Sequence, residues 1–255
     1  AQIMKNYPQI KTAFVSTNSI TQGEQVGVLW GWIFAQGLHI HFAHRTFQWS
    51  SAAKGKAAVH CVIIGFGSQN DKIKYLFDYP NIQAEPEKLE VKQINQYLVA
   101  APSIIIPSRS NPRNGMPTMT KGSQPTDGGN LVLNEDEKNR FSNNYPILTS
   151  YIKPYIGGNE LINNIKRYCF WFADADNNDL KKIISIPEIK QRIENIKQVR
   201  LKSPTSSVQE FSEFPLLFTQ NRQPKGHFLA IPEVSSERRR YIPIGFMNSN
   251  TIPSK

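Results

Sequence analysis

An almost uninterrupted apolar run in the first third of the chain places the strongest constraint on its fold. The run AAVHCVIIGFG (57–67) carries no charged side chain and is rich in β-branched residues. A strand that is apolar on both faces needs cover on both sides, as the inner strands of α/β sheets have. The run therefore predicts an inner strand of a sheet against which helices pack.

The segments before this run fit the same sheet. Residues 12–18 (TAFVSTN) are typical of a buried strand that ends in a polar turn, and LHIHFAHRTF alternates like a second strand. Thr21 and Glu24 have the spacing of a capping box, and Gly37 is placed to end a helix between the two strands. Apolar residues recur there at helical spacing: Val26, Leu29, Trp30, Ile33 and Phe34. The order strand, helix, strand, loop, strand predicts an α/β domain.

The character of the sequence changes between residues 80 and 100. Pro, Asn, Ser and Gly become frequent, which indicates a linker or boundary followed by a domain with short elements. A polar helix is predicted at 134–144, a buried strand at 166–174 and an amphipathic helix at 186–203. On that last helix the inward positions are Ile189, Ile193, Ile196, Val199 and Leu201, and the outward ones are Lys190, Arg192, Lys197, Arg200 and Lys202.

The charge of the chain favours a polyanionic partner. The net charge is +10, and Lys and Arg replace condensed counterions on phosphates. A basic protein without a nucleic-acid role is the alternative. No apolar run approaches the ~20 residues of a membrane span, and no signal peptide is recognisable. The sequence thus predicts a cytoplasmic location and no membrane partner. Cys61 and Cys169 lie in apolar runs and are expected to be buried and unpaired.

The stretch RTFQWSSAAKGK (45–56) combines rings with cations. Phe47 and Trp49 stand among Arg45, Lys54 and Lys56, in what reads as a loop between two strands. Rings beside cations suit a nucleic-acid surface, because rings stack on bases while cations meet phosphates. The alternative is that both rings pack beneath the loop.

Further cations are candidates for DNA contact. SERRRY (236–241) places three arginines in a row, where guanidinium groups can bond phosphates or purine edges. A solvated turn is the alternative interpretation of this run. The predicted set outside the aromatic stretch is Arg109, Arg113, Lys121, Arg222, Lys225, Arg238, Arg239 and Arg240.

A group of histidines raises the question of a metal site. Alternation along a strand would place His39 and His41 on one face, with His44 close by. No carboxylate or thiolate lies near them in sequence to complete a metal site, so they are interpreted as strand histidines and no metal is predicted.

Six blocks, taken in order, resemble a known family. They are FVSTNSITQGEQVGVLW, IHFAHRTFQWSSAAKGKAAVHCVIIGF, GSQPTDGGNLVL, YIKPYIGGNELINNIKRYCFW, FTQNRQPK and IPEVSSERRRYIPIGF. Together they resemble the large single-chain restriction–modification enzymes of types IIL and IIG and related N6-adenine-specific DNA methyltransferases. The resemblance covers nearly the whole chain.

The resemblance implies a divided fold. Residues 1–84 are expected to form the back half of a Rossmann-like methyltransferase sheet, an α/β domain. Residues 85–255 are expected to form an α+β target-recognition domain. The first strand begins close to residue 1 and the last residues follow a strand directly, so the sequence is expected to be a fragment with an incomplete recognition domain.

The family's chemistry is only partly represented in this sequence. Family members bind S-adenosylmethionine through a Gly-containing loop and catalyse with an Asn/Asp-Pro-Pro-aromatic tetrad. Neither motif occurs here. No catalytic or cofactor-binding residue is therefore predicted, and S-adenosylmethionine is expected in the full-length protein but not bound to this fragment.

The resemblance does assign part of a base pocket. The target adenine must leave the duplex to react, and in related enzymes an aromatic side chain just before a late strand stacks on it. Phe47 fits that place best and Trp49 second. Ser16 and Asn18, in the turn after the first strand, would line the same pocket, with capping of the next helix as the alternative.

Two functions follow as hypotheses. The first is a fragment of a DNA adenine-N6 methyltransferase that binds double-stranded DNA, with a fused or partner nuclease. The second is a non-catalytic DNA-specificity subunit that acts beside a separate enzyme. An RNA-binding protein is a third idea, without a recognition motif in its support.

Overall fold

The protein folds as two compact units. The computed structural model describes residues 2–49, 59–236 and 239–255. The first unit comprises residues 1–116 and the second residues 117–255. Residues 85–116 thus pack with the first unit. The predicted boundary after residue 84 concerns function and not packing, and it stays a prediction.

The first unit is built on one mixed sheet. Its described elements are α1 (Gln2–Asn6), β1 (Lys11–Thr17), α2 (Gly23–Ala35), β2 (His39–Trp49), β3 (Val59–Gly67), β4 (Lys74–Asp78) and β5 (Glu87–Val91). The strand order is β1-β3-β2-β4-β5. Strand β3 pairs antiparallel with both β1 and β2, and β4 runs parallel to β2. The inner strand predicted from the apolar run is thereby confirmed for Val59–Gly67.

Helix α2 covers one face of this sheet. Val26, Trp30 and Ile33 are buried in the core, as the helical spacing predicts. The predicted capping box is wrong, because Gln22 is the N-cap and the Thr21 hydroxyl donates to the Asn18 carbonyl, 2.8 Å away, within a 3-10 turn.

Strand β1 is not the buried strand that its apolar residues predict. The side chains of Phe14 and Val15 are 53% and 57% exposed. The physical reason is position, since β1 pairs only with β3 among the described strands and forms an edge of the sheet.

The second unit is α+β, as predicted. Its described elements are β6 (Val132–Leu133), α3 (Glu135–Asn144), β7 (Ile152–Ile156), α4 (Gly158–Asn163), β8 (Tyr168–Phe170), α5 (Asn177–Ser185), α6 (Pro187–Leu201), α7 (Ser206–Glu210), β9 (Phe228–Ala230), β10 (Gly245–Met247) and β11 (Ile252–Pro253). One sheet has the order β11-β7-β8-β6, and β9 pairs with β10 in a separate ribbon. Helices α3, α5 and α6 pack on its core around Phe141, Phe170 and Ile196.

Helix α6 corrects the predicted assignment of its faces. Ile189 and Ile196 are buried as predicted, but Val199 and Leu201 are 39% and 53% exposed. Arg200, predicted to point outward, is fully buried. Its guanidinium donates to backbone carbonyls of the surrounding loops, which supply the partners that a buried charge requires.

Two further predictions can be compared with the described residues. Cys61 and Cys169 are both buried and free, as expected. In the part of the chain that the structure describes, no helix has the length and apolar character needed to cross a membrane.

Candidate nucleic-acid interface

Strand directions in the first unit bring two predicted segments to the same sheet edge. Because β1 and β2 both pair antiparallel with β3, their carboxyl ends point the same way. Thr17 of β1 and Phe47 of β2 both pair with Cys61, from opposite sides of β3. With neighbouring strands ~4.8 Å apart, the two backbones are about 10 Å apart. Ligands bind at this edge in α/β sheets.

The predicted aromatic loop is partly a strand, which corrects the sequence interpretation. Strand β2 continues to Trp49, so Phe47 and Trp49 lie on it and pair with Cys61 and Val59. An irregularity in register between His44 and Phe47 lets the strand continue past the expected end. Phe47 is half-buried, and Trp49 is 49% exposed, so the rings are not both packed away.

An aromatic cluster surrounds Phe47 at the end of β2. Its ring stacks on Tyr79 at a centroid distance of 5.3 Å and lies 6.2 Å from the ring of Trp49. The Tyr79 hydroxyl is 2.8 Å from His44 Nδ1, and His44 stacks on Phe77 at 4.2 Å and 5°. We call these five residues the aromatic cluster.

Three members of the cluster do not follow from the sequence pattern: His44, which the pattern assigns only to a strand, and Phe77 and Tyr79. A usable signal was present, because FDY (77–79) ends β4, a strand parallel to β2 whose carboxyl end reaches the same edge. Further contacts hold the two segments together. Arg45 Nη1 is 3.1 Å from Asp78 Oδ2, and the backbone N–H of Gln48 donates to the Ile82 carbonyl at 2.7 Å.

Burial favours the uncharged forms of the two titratable rings in the cluster. Burial lowers the pKa of His44 below its usual value. Burial, followed by the charge of Glu85, raises the pKa of the Tyr79 phenol. A neutral, partly buried group of rings suits stacking on a neutral base.

The lowered pKa of His44 gives a pH prediction. A histidine whose pKa is lower in the folded than in the unfolded state binds fewer protons when folded, so stability falls as pH decreases below about 6.5. His39, whose pKa is also lowered by burial, adds to this effect. We expect the melting temperature to fall between pH 7.5 and pH 5.5, and His44→Gln to reduce that dependence. His60→Gln, at an exposed position of β3, is the control. An unchanged pH dependence in His44→Gln would contradict the assignment.

Ser16 and Asn18 lie at the predicted edge. Ser16 pairs with Val62 at the end of β1, and Asn18 begins the 3-10 turn Asn18–Thr21. Both side chains are partly buried. The Asn18 carbonyl accepts from Thr21 and so helps to close the turn before α2. Their role in a pocket stays a prediction.

The predicted cations of the first unit differ in their surroundings. Arg45 is held by its ion pair with Asp78 and is 34% exposed. Arg109 and Arg113 are exposed on an irregular segment. Lys54 and Lys56 lie outside the described residues.

The predicted cations of the second unit that the structure describes lie on its surface. Lys121 pairs with Glu233 at 3.3 Å, an exposed ion pair of small energetic weight. Arg238 lies outside the described residues. The exposed remainder is Arg222, Lys225, Arg239 and Arg240.

The histidines of β2 do not form a metal site with other residues that the structure describes. A register shift between Ile40 and Phe42 breaks the expected alternation, and His41 is buried with Nδ1 2.7 Å from Asp71 Oδ2. Over residues 2–49, 59–236 and 239–255, no group of three or more His, Cys, Asp and Glu side chains is placed to hold a metal ion.

Comparison with known proteins gives matches over both halves of the chain. Residues 1–78 match the family described as the DNA-methyltransferase domain of MmeI, and residues 100–255 match the MmeI target recognition domain. DNA methyltransferase A of Bacillus subtilis (strain 168) is 40% identical over 245 residues, which are 96% of this chain and 27% of that protein.

A solved structure extends the comparison to the fold. The type IIL restriction–modification enzyme MmeI, in complex with DNA, matches with a TM-score of 0.82 and 42% identity over 99% of this chain and 33% of that one. The chain thus spans about a quarter to a third of the length of these relatives. It belongs to the MmeI family, and it contains sequence of the DNA-methyltransferase domain followed by the target recognition domain.

Proposed function

We propose that this chain is the DNA-recognising part of an enzyme that methylates N6 of adenine in double-stranded DNA, with S-adenosylmethionine as donor. The family match supports methyl transfer to DNA, and the solved relative is bound to DNA. The aromatic cluster carries the finer proposal, as it lies at the ligand-binding edge of the sheet and would form one wall of the pocket for the flipped adenine.

The energetics favour such a wall. Taking a base out of the duplex costs a few kcal/mol, and stacking on an aromatic side chain returns about 1–3 kcal/mol. Tyr79 stacks on one face of Phe47, so the base would stack on the opposite face. Trp49, which is more exposed, flanks the same place.

No residue of this chain is assigned to S-adenosylmethionine. The sequence lacks the family's donor-binding loop motif and its Asn/Asp-Pro-Pro-aromatic tetrad, so the residues present do not fit the donor. We propose that both lie elsewhere in the enzyme, and that a nuclease acts in the same protein or beside it, as befits a relative of a restriction–modification enzyme. Methylation of DNA by this chain alone would contradict the first part.

The test of the pocket is Phe47→Ala in the full-length enzyme. We expect the equilibrium constant for base flipping to fall about tenfold or more because stacking is lost. The fluorescence of 2-aminopurine at the target position measures it. Affinity for S-adenosylmethionine should stay within about twofold, since Phe47 is assigned only to the base. Phe14→Ala is the matched control, a half-exposed ring on β1 outside the cluster. Equal losses of flipping and cofactor affinity would count against the pocket, as would an equal effect of Phe14→Ala.

A further inference from the structure

The β9–β10 ribbon presents an apolar face to solvent. Leu229 lies directly opposite Phe246, and their side chains are 57% and 76% exposed. Strand alternation continued by one step adds Ile231 and Ile244, which are 39% and 58% exposed. We call these four residues the ribbon face.

The opposite face of the ribbon is seated on its own unit. A Cβ atom added at Gly245 would lie 2.7 Å from the Leu161 side chain of α4, so that side chain packs directly on the ribbon backbone there. Next to β9, the Pro232 side chain would meet a Cβ at Gly158 at 3.2 Å. The ribbon is thus fixed by packing, and the ribbon face points outward as a result of that packing.

An outward face of this kind needs a partner. Four neighbouring large apolar side chains on a short ribbon exceed the scattered single exposures of an ordinary surface, and such patches mark interaction sites. The surrounding charge indicates the class of partner. Residues 219–255 contain six Lys and Arg but only two Glu. Within the segment that joins the strands, Arg239 and Arg240 are exposed, as is Lys225 ahead of β9.

Duplex DNA matches both properties of this surface. Phosphates would take the cations, while thymine methyl groups offer apolar surface inside the groove. A two-stranded ribbon also fits the width of the major groove. A purely apolar protein partner would leave the exposed cations that neighbour the ribbon in sequence without a counterpart.

We propose that the ribbon face lies against a groove of double-stranded DNA and supplies a non-ionic part of the binding affinity. The inference rests on the proposed function in that the chain must bind DNA. It goes further because it assigns affinity to apolar residues and distinguishes them from the arginines beside them.

The experiment separates the two contributions by their salt dependence. The probe is a fluorescein-labelled duplex that the wild-type chain selects from a randomised pool, and Kd is measured from 50 to 200 mM KCl. We expect Leu229→Ala and Phe246→Ala each to weaken binding about tenfold at every salt concentration. The slope of log K against log salt should not change in these variants. Arg240→Ala should instead lower the magnitude of that slope by about 1.

Matched variants keep the result interpretable. Leu201→Ala removes a leucine of similar exposure (53%) from α6 and should leave Kd within about twofold. Phe246→Leu keeps an apolar side chain and should retain most of the affinity that Phe246→Ala loses. The melting temperature of each variant verifies that the ribbon remains folded.

The outcomes that overturn the inference differ from failure of the proposed function. Unchanged Kd in both Leu229→Ala and Phe246→Ala would refute the groove contact while leaving DNA binding intact. A change in sedimentation coefficient of the free chain, with Kd unchanged, would assign the face to protein contacts instead. A wild-type chain from which no duplex can be selected would contradict the proposed function itself.

Discussion

Arg200→Met is expected to lower the free energy of unfolding of the second unit by roughly 3–5 kcal/mol. The guanidinium is fully buried and donates hydrogen bonds to backbone carbonyls at distances of 2.7–3.1 Å, those of Pro125, Thr126, Phe211, Phe214 and Leu217. Methionine keeps much of the volume but donates nothing, so these acceptors lose their donor and are left unsatisfied.

Urea denaturation, monitored by hydrogen exchange of peptides from each unit, measures this effect separately in the two units. Lys190→Met is the control, as an exposed cation on the same helix, and should change stability by less than about 0.5 kcal/mol. The first unit should be unaffected by either change. A second unit that unfolds within 1 kcal/mol of the parent in Arg200→Met would show that water or relaxed loops satisfy these carbonyls.

Arg200 also shows where residue type and helical periodicity disagree. The spacing of Ile189 and Ile196 predicts α6 and its buried face correctly. Position 200 continues the same series at i+11 from Ile189, so helical periodicity alone places it on the buried face, and only the charge of Arg200 favours solvent. The carbonyls that bury it come from positions 11 to 75 residues away in the chain. Val199 and Leu201, on either side of it, lie off that face of the helix and are exposed.

The candidate base pocket was predictable to a similar depth. The resemblance selected Phe47, and the apolar pattern of β3 predicted the sheet that carries it. The continuation of β2 to Trp49 was not predictable, because a polar stretch with small residues after the rings is typical of a loop. The contact between Tyr79 and His44 was not predictable, because these residues are 35 apart in sequence and meet only through the parallel pairing of β4 with β2.

Strand β1 shows that a pattern predicts the type of an element better than its burial. The short apolar run in TAFVSTN (12–18) predicts the strand to within one residue of its bounds. Whether Phe14 and Val15 are covered depends on what packs beside β1 and over it, which no local pattern contains.

Gly65→Ala is expected to destabilise the first unit by about 1–3 kcal/mol and to disturb the aromatic cluster. Gly65 pairs with Phe42 on the neighbouring strand, and a Cβ at Gly65 would overlap the Phe42 ring. The Phe42 ring must therefore move. Since that ring meets His44 edge-on at 6.4 Å, its displacement should also reduce the 2-aminopurine signal of base flipping in the full-length enzyme.

A second glycine of the same unit gives the matched control, with the opposite sign. A Cβ at Gly27, inside α2, would meet the Ile105 side chain at an ordinary 3.7 Å. Gly27→Ala should thus stabilise the unit by up to about 1 kcal/mol, because alanine loses less backbone entropy on entering a helix. If the clash with Phe42 causes the loss, Phe42→Leu combined with Gly65→Ala should be less destabilising than the sum of the single changes. Additive losses in the double variant would place the cost in the backbone at Gly65, and the link between this core position and the base pocket would then be wrong.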